Sequence, residues 1–364
     1  MNKRAIIAMS GGVDSSVAAA LMKEQGYDCI GATMKLFQNE DVGVSREHSC
    51  CSLDDVADAR SVAYALDMPY YVFNFADRFR EDVIDRFVQA YETGCTPNPC
   101  IDCNRYLKFE KLFQRAQEME CDYVVTGHYA RIDRDESSGR YLLKKAVDAT
   151  KDQSYVLYSL TQEQLQHVLF PLGGMHKSEV RALAEAHGFI NAKKHDSQDI
   201  CFVQNGSYAD FLEQYTGKHY PTGNFVDSSG RVLGQHKGIV RYTIGQRKGL
   251  GLSLPEPLYV TAVDPARGTV TLGPSEELFS TTLTATDINM IAVERLTAPT
   301  RLKAKVRYRQ PEQWATVTQP DDDTLHIVFD EPQRAITKGQ AVVLYDARGC
   351  PDRRSPPQRE RGGR

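Results

Sequence analysis

The chain has 364 residues, of which 41% are hydrophobic and 25% charged, with a formal net charge of −4 at pH 7. That length holds two or three domains with cores of their own, and the balance is that of a soluble globular protein rather than a wholly basic nucleic-acid binder, so any basic surface must be local. Nine cysteines without secretory features, no apolar run near the length of a membrane span, and an opening run too short for a signal-peptide core point to a reducing cytoplasm and no membrane.

In chain order, the short apolar run Ala5–Ala8 reads as a strand, and Val17–Gln25 reads as an Ala-rich helix stopped by Gly26. Between them lies Ala8-Met9-Ser10-Gly11-Gly12-Val13-Asp14-Ser15-Ser16. Strand, glycine-rich turn and helix together aim free backbone N–H groups and a helix N-terminus at an anion. The loop holds no lysine and no Walker-type spacing. An Asp beside a phosphate is repelled unless a cation intervenes, so Asp14 suggests Mg²⁺. The string resembles the pyrophosphate-binding loop of the ATP pyrophosphatase (PP-loop) superfamily, whose members cleave ATP to AMP and pyrophosphate while adenylating a substrate.

Further strands are expected at Cys29–Met34, Tyr70–Phe75 and Tyr123–Thr126, with helices at Leu53–Asp67, along the Phe79, Val83, Phe87, Tyr91 stripe, and at Arg105–Met119. Strands separated by helices of this length predict an α/β fold, a doubly wound parallel sheet with ligands outside the carboxyl ends of the strands. The opening loop, Met34 and Gly127-His128 all fall at such ends. The two prolines of Thr96-Pro97-Asn98-Pro99-Cys100-Ile101-Asp102-Cys103 predict a stiff loop that excludes helix. Its Cys-x-x-Cys pair is open to three readings: a redox dithiol, half of a metal site, or two inert thiols. Cys50-Cys51, beside His48, have poor chelating geometry.

A hairpin is expected over residues 131–144, then the polar Lys151-Asp152-Gln153 segment, helices at Gln162–Leu169 and Lys177–His187, and Cys201 in Ser197-Gln198-Asp199-Ile200-Cys201-Phe202. Beyond about residue 206 the pattern turns to β. A helix at Tyr208–Gln214 leads into Gly- and Pro-punctuated strands. An all-β, barrel-like module follows, with strands near Thr284–Val293, Leu302–Arg309, Ala315–Val317, Leu325–Phe329 and Gln340–Tyr345. Arg301, Lys303, Lys305, Arg307 and Arg309 alternate with apolar residues, which would line one strand face with cations for successive phosphates. The domains expected are 1–205, a small central 206–278 and a barrel-like 279–348, with an Arg-rich disordered tail over 349–364.

Taken in order, S-G-G-V-D-S-S, T-P-N-P-C-x-x-C-N, T-G-H-Y-A-R at Thr126–Arg131, K-D-Q-S-Y, S-Q-D-I-C-F and Y-T-I-G-Q-R-K-G-L at Tyr242–Leu250 resemble the bacterial tRNA 2-thiouridylases, to about residue 346. The resemblance implies ATP-dependent 2-thiolation of the wobble uridine of tRNAs for Lys, Glu and Gln. Sulfur would come from a cysteine desulfurase, a sulfur-relay protein or sulfide. It implies ATP contacts at Ala8, Met9, Ser10, Gly11, Gly12, Val13, Asp14, Ser15, Met34 and Gly127. It also implies a nucleophile at Cys103, a persulfide on Cys201, and target-base contacts at Asn98, Pro99 and Cys100. Contacts to tRNA would come from His128, Lys151, Asp152, Gln153, Arg307, Tyr308 and Gln340. Because some members carry Asp where this chain has Cys100, an iron–sulfur cluster (4Fe-4S) on Cys100, Cys103 and Cys201 is a second mechanism to test. Two other functions stay open: an AMP-forming enzyme acting on a small molecule, and a non-catalytic nucleotide- or RNA-binding module.

Overall fold

The computed structural model describes residues 3–37, 53–194, 200–203, 207–253 and 255–346. Cys50, Cys51, His48, Ser197–Asp199 and the tail over 349–364 lie outside the described residues. In the first part, β1 (Arg4–Ala8), α1 (Val13–Glu24), β2 (Asp28–Lys35), α2 (Leu53–Ala65) and β3 (Tyr70–Asn74) follow one another. Two long helical stretches come next, α3 (76–92) and α4 (99–118), and then β4 (Tyr123–Val125). A hairpin, β5 (Ala130–Arg134) and β6 (Tyr141–Lys145), is followed by α5 (Gln162–Gln166), β7 (Val168–Leu169) and α6 (Lys177–Ala186).

The first sheet runs β3-β2-β1-β4-β7 with every neighbour parallel. Ala5, Ile6 and Ile7 are fully buried, as expected where helices cover both faces of a parallel strand. The chain walks outward from β1 through β2 to β3, then returns to place β4 on the other side of β1. That reversal is the switch point, and it opens a crevice at the carboxyl ends of β1 and β4. The sequence places the first four of these strands; the short β7 lies inside a segment that reads as helix and ends after Gln166 instead.

One expectation is corrected in the Cys-x-x-Cys segment. Pro99 does not exclude helix; it begins one, at the first helical position, with the Asn98 side chain capping it by accepting from Cys100 N at 3.2 Å. A proline there loses no intrahelical bond, because its N–H would have had no partner. Cys100 and Cys103 are therefore helical, and Cys103 opens a wider π-type stretch to Lys111.

After α7 (Tyr208–Thr216), a central four-stranded sheet is formed by β8 (Gly223–Val226), β9 (Val232–His236), β10 (Tyr259–Asp264) and β11 (Thr269–Gly273), in the order β10-β11-β8-β9. The last sheet holds β12 (Phe279–Ala285), β13 (Thr300–Lys305), β14 (Gln313–Thr318), β15 (Leu325–Arg334) and β16 (Val343–Tyr345), in the order β12-β15-β14-β13-β16. Two of its strands differ from expectation. β12 starts and ends earlier than Thr284–Val293, and the chain leaves it just before Asp287, whose φ of 54° is incompatible with a strand. β13 stops at Lys305, so the alternation through Arg309 is not one strand.

Candidate active site

The loop after β1 is built for close approach. Gly11 has φ of 73°, and a Cβ there would stand 2.4 Å from Asp55 O on α2. Gly12 caps α1 without a side-chain hydrogen bond, so the first-turn amides of α1 have no intrahelical acceptor and face the crevice as anion donors. Ser15 Oγ accepts from Ser10 N at 3.2 Å and donates to Gly12 O at 3.0 Å, which fixes the turn. Met9 and Val13 are core side chains, so only their backbones can serve a ligand. Gly127, after β4, lies so close that a Cβ would meet Asp14 C at 2.7 Å and Ser15 N at 2.8 Å. Two of the three predicted segments thus touch; Met34, half-buried at the end of β2, packs beside two of the core clusters.

The structure also supplies what the loop's sequence lacks. Lys177 Nζ, at the start of α6 and 9% exposed, reaches Asp14 Oδ1 at 2.7 Å, and Tyr129 Oη donates to the same oxygen at 2.9 Å. Asn191 Nδ2 donates to Gly11 O and Ser16 Oγ, both at 2.9 Å. Lys194 Nζ bridges Asp55 at 2.5 Å and Asp58 at 2.8 Å on α2. Lys177, Asn191 and Lys194 carry no local mark in the sequence, because each is brought in by tertiary packing alone, whereas Tyr129 lies within the T-G-H-Y-A-R motif. The cation beside Asp14 is a lysine, which with Tyr129 takes one carboxylate oxygen, Oδ1. These side chains do not by themselves form a Mg²⁺ site.

The thiols belong to a separate core cluster, which Leu36 and Phe37 just after β2 join and against which Met34 packs. Cys103 is 9% exposed within an apolar cluster that includes Phe79, Phe87, Leu107 and Phe202, and Cys201 packs against the same cluster. Burial pushes the Cys103 thiol above its ordinary range, opposed by Lys108, so it rests as the neutral thiol. Cys100, one turn earlier, is exposed. Among the described residues no three His, Cys, Asp or Glu side chains are grouped closely enough to hold a metal. Cys100, Cys103 and Cys201 therefore do not fit an iron–sulfur cluster in this arrangement, because one faces solvent while another is turned into the core. Between the two cysteines of the motif, Asp102 is pushed up to about 6 by burial, against the pull of Arg86 and Arg105.

Several residues expected on an RNA surface are occupied internally. His128 is buried against Phe109 and Phe170, with Nδ1 2.7 Å from Thr126 Oγ1, and burial with nearby Lys108 keeps it neutral. Asp152 accepts from Ala146 N at 3.0 Å and Ser154 Oγ at 2.8 Å; Gln153 Oε1 accepts from Tyr129 N at 2.9 Å. Lys151 stands half-buried at the head of this turn, its N–H on Asp148 O. Gln340 Nε2 donates to Thr96 O at 2.7 Å, tying the last sheet to the segment that leads into Asn98 and Pro99. Tyr308 is exposed, with its hydroxyl 3.4 Å from Asp152 O.

The expected row of free cations is also corrected. Arg301 is paired bidentately with Asp330, Lys303 lies 3.8 Å from Glu312, and Lys305 sits over the rings of Tyr155 and Tyr308. Burial lowers Lys305 from its usual value. Arg307 lies past the strand's end and donates to Ala335 O at 2.9 Å and Thr337 Oγ1 at 2.5 Å. Glu312, just before β14, and Asp330, on β15, were not visible as partners from the strand's own alternation.

Three family models match the chain in succession: a tRNA methyl transferase HUP domain over residues 3–205, a tRNA methyl transferase PRC-barrel domain over 209–274, and an aminomethyltransferase β-barrel domain over 280–350. A protein of Clostridioides difficile (strain 630) named tRNA-specific 2-thiouridylase MnmA is 53% identical over 346 residues, covering 95% of this chain and 96% of its own. One of the same name from Symbiobacterium thermophilum is 52% identical over 348 residues, covering 94% and 89%. With half of its residues shared over nearly the whole length of such relatives, and with a PP-loop sheet followed by two β domains, the chain belongs to the tRNA-specific 2-thiouridylase family.

Proposed function

We propose that this enzyme replaces the 2-oxygen of a wobble uridine in tRNA by sulfur, in the reducing cytoplasm, using ATP to make that oxygen a leaving group. The uracil O2 attacks the α-phosphorus of ATP and pyrophosphate departs, leaving the base adenylated at O2. The loop Ala8–Ser15 with Lys177 receives the negative charge that develops on the pyrophosphate, through backbone N–H groups and an ammonium. ATP brings Mg²⁺ on its own phosphate oxygens; no step is assigned to a metal held by the protein.

Sulfur transfer falls to the two cysteines. The terminal sulfur of a Cys201 persulfide attacks C2 and AMP leaves with the former O2. Cys103 thiolate then attacks the inner sulfur of Cys201, which releases 2-thiouridine and forms a Cys103–Cys201 disulfide. In the other order, Cys103 attacks first and frees hydrosulfide, which adds to C2. Either route consumes one persulfide and leaves one disulfide, which an external thiol must reduce. Asn98, Pro99 and Cys100 would flank the target base, which must leave the anticodon stack to be reached. Residues 1–205 would activate and thiolate, and 206–278 with 279–348 would hold the RNA.

What carries this reading is that Cys103 and Cys201, distant in the chain, border one apolar cluster beside the crevice in a member of this family. The test is anaerobic incubation of the purified protein with ATP, Mg²⁺ and unmodified transcripts of tRNAs for Lys, Glu and Gln, with a cysteine desulfurase and cysteine, or a sulfur-relay protein, to load the Cys201 persulfide, followed by nucleoside analysis. In a parallel arm sulfide replaces the donor and adds to C2 directly as hydrosulfide, without a persulfide. We expect 2-thiouridine with AMP in equal amount. No 2-thiouridine under any redox condition overturns the reading. AMP formation that persists without tRNA and survives Cys103→Ser and Cys201→Ser would point instead to a small-molecule substrate.

A further inference from the structure

The start of α4 carries both cysteines of the motif, and hydrogen bonds from the last domain hold it at both ends. Ahead of it, Thr96 N donates to Lys338 O at 2.9 Å and Thr96 O accepts from Gln340 Nε2 at 2.7 Å. Two residues past Cys103, Arg105 reaches Asp287 with both arms of its guanidinium, at 2.5 Å and 3.0 Å. That bidentate pair joins residues 182 apart in the chain and has no part in the thiolation chemistry. Asp287 stands just past β12, on an arm fixed independently of Arg105. Asn289 Nδ2 donates to Tyr158 O at 2.7 Å and to Leu160 O at 2.9 Å. Arg140 donates to Met290 O and Ile291 O, each at 2.9 Å, and Gln162 Nε2 donates to Ile291 O at 3.0 Å. The φ of 54° at Asp287 is a left-handed conformation that Asp and Asn tolerate better than most residues with side chains.

Space along α4 gives that pair its importance. A cavity of about 1140 Å³ separates the start of α4 from the last sheet. Asn98, Ile101, Asp102 and Arg105 line it from α4, and Leu302 and Leu325 are among the side chains that line it from the sheet. Cys103 is not part of that lining; it lies in the apolar cluster with Phe79, Phe87 and Phe202. The helix is therefore close-packed around its buried thiol and open along Asp102 and Arg105. Side chains that face a void lose the contacts that would hold an element in place, so the ties at its ends matter more. A planar, two-pronged Arg–carboxylate pair fixes direction as well as distance. Here both partners are partly exposed, with side chains 35% and 67% accessible, so the pair is weak enough for a binding event to break.

We propose that Asp287 is a positioning residue: through Arg105 it latches the start of α4 in a resting place where Cys103 is buried, and RNA docking on the last domain releases the latch. The arm belongs to residues 279–348, the domain proposed to hold RNA, so a shift of that domain acts on Arg105 directly. Once released, the helix moves into the cavity and draws Cys103 out of its apolar cluster. Until then the thiol is kept from water and oxidants. The inference rests on the reading of Cys103 as the nucleophile of thiolation and names how that site is regulated.

The test follows alkylation of Cys103 by N-ethylmaleimide in the full-length protein, read by peptide mass spectrometry, with and without an unmodified tRNA transcript. The wild type should label slowly alone and faster with tRNA. Asp287→Asn keeps the backbone conformation and loses the charge. It should label roughly threefold to tenfold faster without tRNA, the worth of one partly exposed charge-assisted pair, and tRNA should add little. Arg105→Met should match it, and the double variant should be no faster than either. Asp287→Glu restores the carboxylate and should restore slow labelling, and KM for tRNA should stay the same in all of them. Wild-type labelling in Asp287→Asn would overturn the latch. An equal acceleration by tRNA in both proteins would overturn its release by RNA. Cys29, buried in the first domain, is the internal reference, and its labelling rising in parallel would trace the effect to general loosening and overturn the latch as well. A wild type whose Cys103 responds to tRNA yet makes no 2-thiouridine would remove the thiolation reading and leave the latch standing.

Discussion

The crevice has two sides, and they are in different states of readiness. On the side proposed for ATP the parts are already together: the loop after β1, Gly127 against Asp14, and Lys177 and Tyr129 on the same carboxylate oxygen. On the thiol and RNA side they are not. Cys103 is a buried neutral thiol, Cys100 faces solvent, and His128, Gln153, Arg307 and Gln340 are bonded to other parts of the protein. The difference follows from the chemistry each side serves. A nucleotide site gains from rigid preorganised donors. A thiolate or persulfide held permanently open to water and oxidants would be lost before RNA arrived.

The sharpest way to break this comparison is to remove the thiols. Cys103→Ser and Cys201→Ser should each lower 2-thiouridine formation by roughly 10³-fold or more, because a serine hydroxyl is not ionised where a thiol can be. Calorimetric titration with ATP should give an unchanged affinity for both; a loss there would show that the sides are not independent. The wild-type single-turnover rate should keep rising with pH beyond the ordinary thiol range near 8.5, since burial raises Cys103 and its thiolate fraction grows late. A rate already flat at neutral pH would mean that RNA binding opens and activates the thiol.

Next in size is the lysine that the loop borrows from α6. Lys177→Met removes a buried ammonium from the site proposed for the departing pyrophosphate, and should cost about 10²-fold or more in kcat/KM for ATP. It also leaves Asp14 without its cation, so Asp14→Asn in the Lys177→Met background should cost much less than in the wild type. Additive losses in that cycle would refute the shared role.

What was legible in advance follows the same division. The loop Ser10–Ser16, the positions of the first four strands and a crevice at their carboxyl ends could be read from local patterns, because a parallel sheet dictates where its ligands bind; the strand order could not. Lys177, Asn191 and Lys194 could not, since nothing near them in sequence marks them as loop partners. The Cys-x-x-Cys segment misled through its prolines: Asn98 and Pro99 are a helix start, a cap followed by a proline at the first position. The alternating cations of Arg301–Arg309 misled because strand periodicity says which face a charge shares and nothing about Asp330 or Glu312 on the neighbours.

A smaller effect tests how strained the thiol side is at rest. Asp102 titrates near 6 in the folded protein, above the ordinary carboxylate value of 3.8, because it is partly withdrawn from water. Its contribution is therefore fully present below the unfolded pKa and is lost as pH rises through the folded one. At pH 7 the ionised group opposes folding by about 3 kcal/mol. Asp102→Asn should raise the melting temperature by several degrees at pH 7 and by almost nothing at pH 4. An equal gain at both would trace the effect to packing rather than to charge.

The smallest effect separates two meanings of one contact. Gln340 Nε2 holds Thr96 O at 2.7 Å, and Thr96 N in turn donates to Lys338 O at 2.9 Å, so the last sheet grips the chain just before Asn98. Gln340→Leu removes one neutral hydrogen bond, worth about 0.5–1.5 kcal/mol, which is a two- to tenfold change in rate or binding. If Gln340 serves by positioning the thiol helix, kcat falls while KM for tRNA stays, and Gln340→Glu, which cannot donate to a carbonyl, behaves like Leu. If it serves by touching RNA, KM rises, and Glu is worse than Leu because it adds a negative charge beside phosphates. The geometry favours positioning, because the side-chain donor is already spent on Thr96, and an RNA group would have to displace that bond to use it.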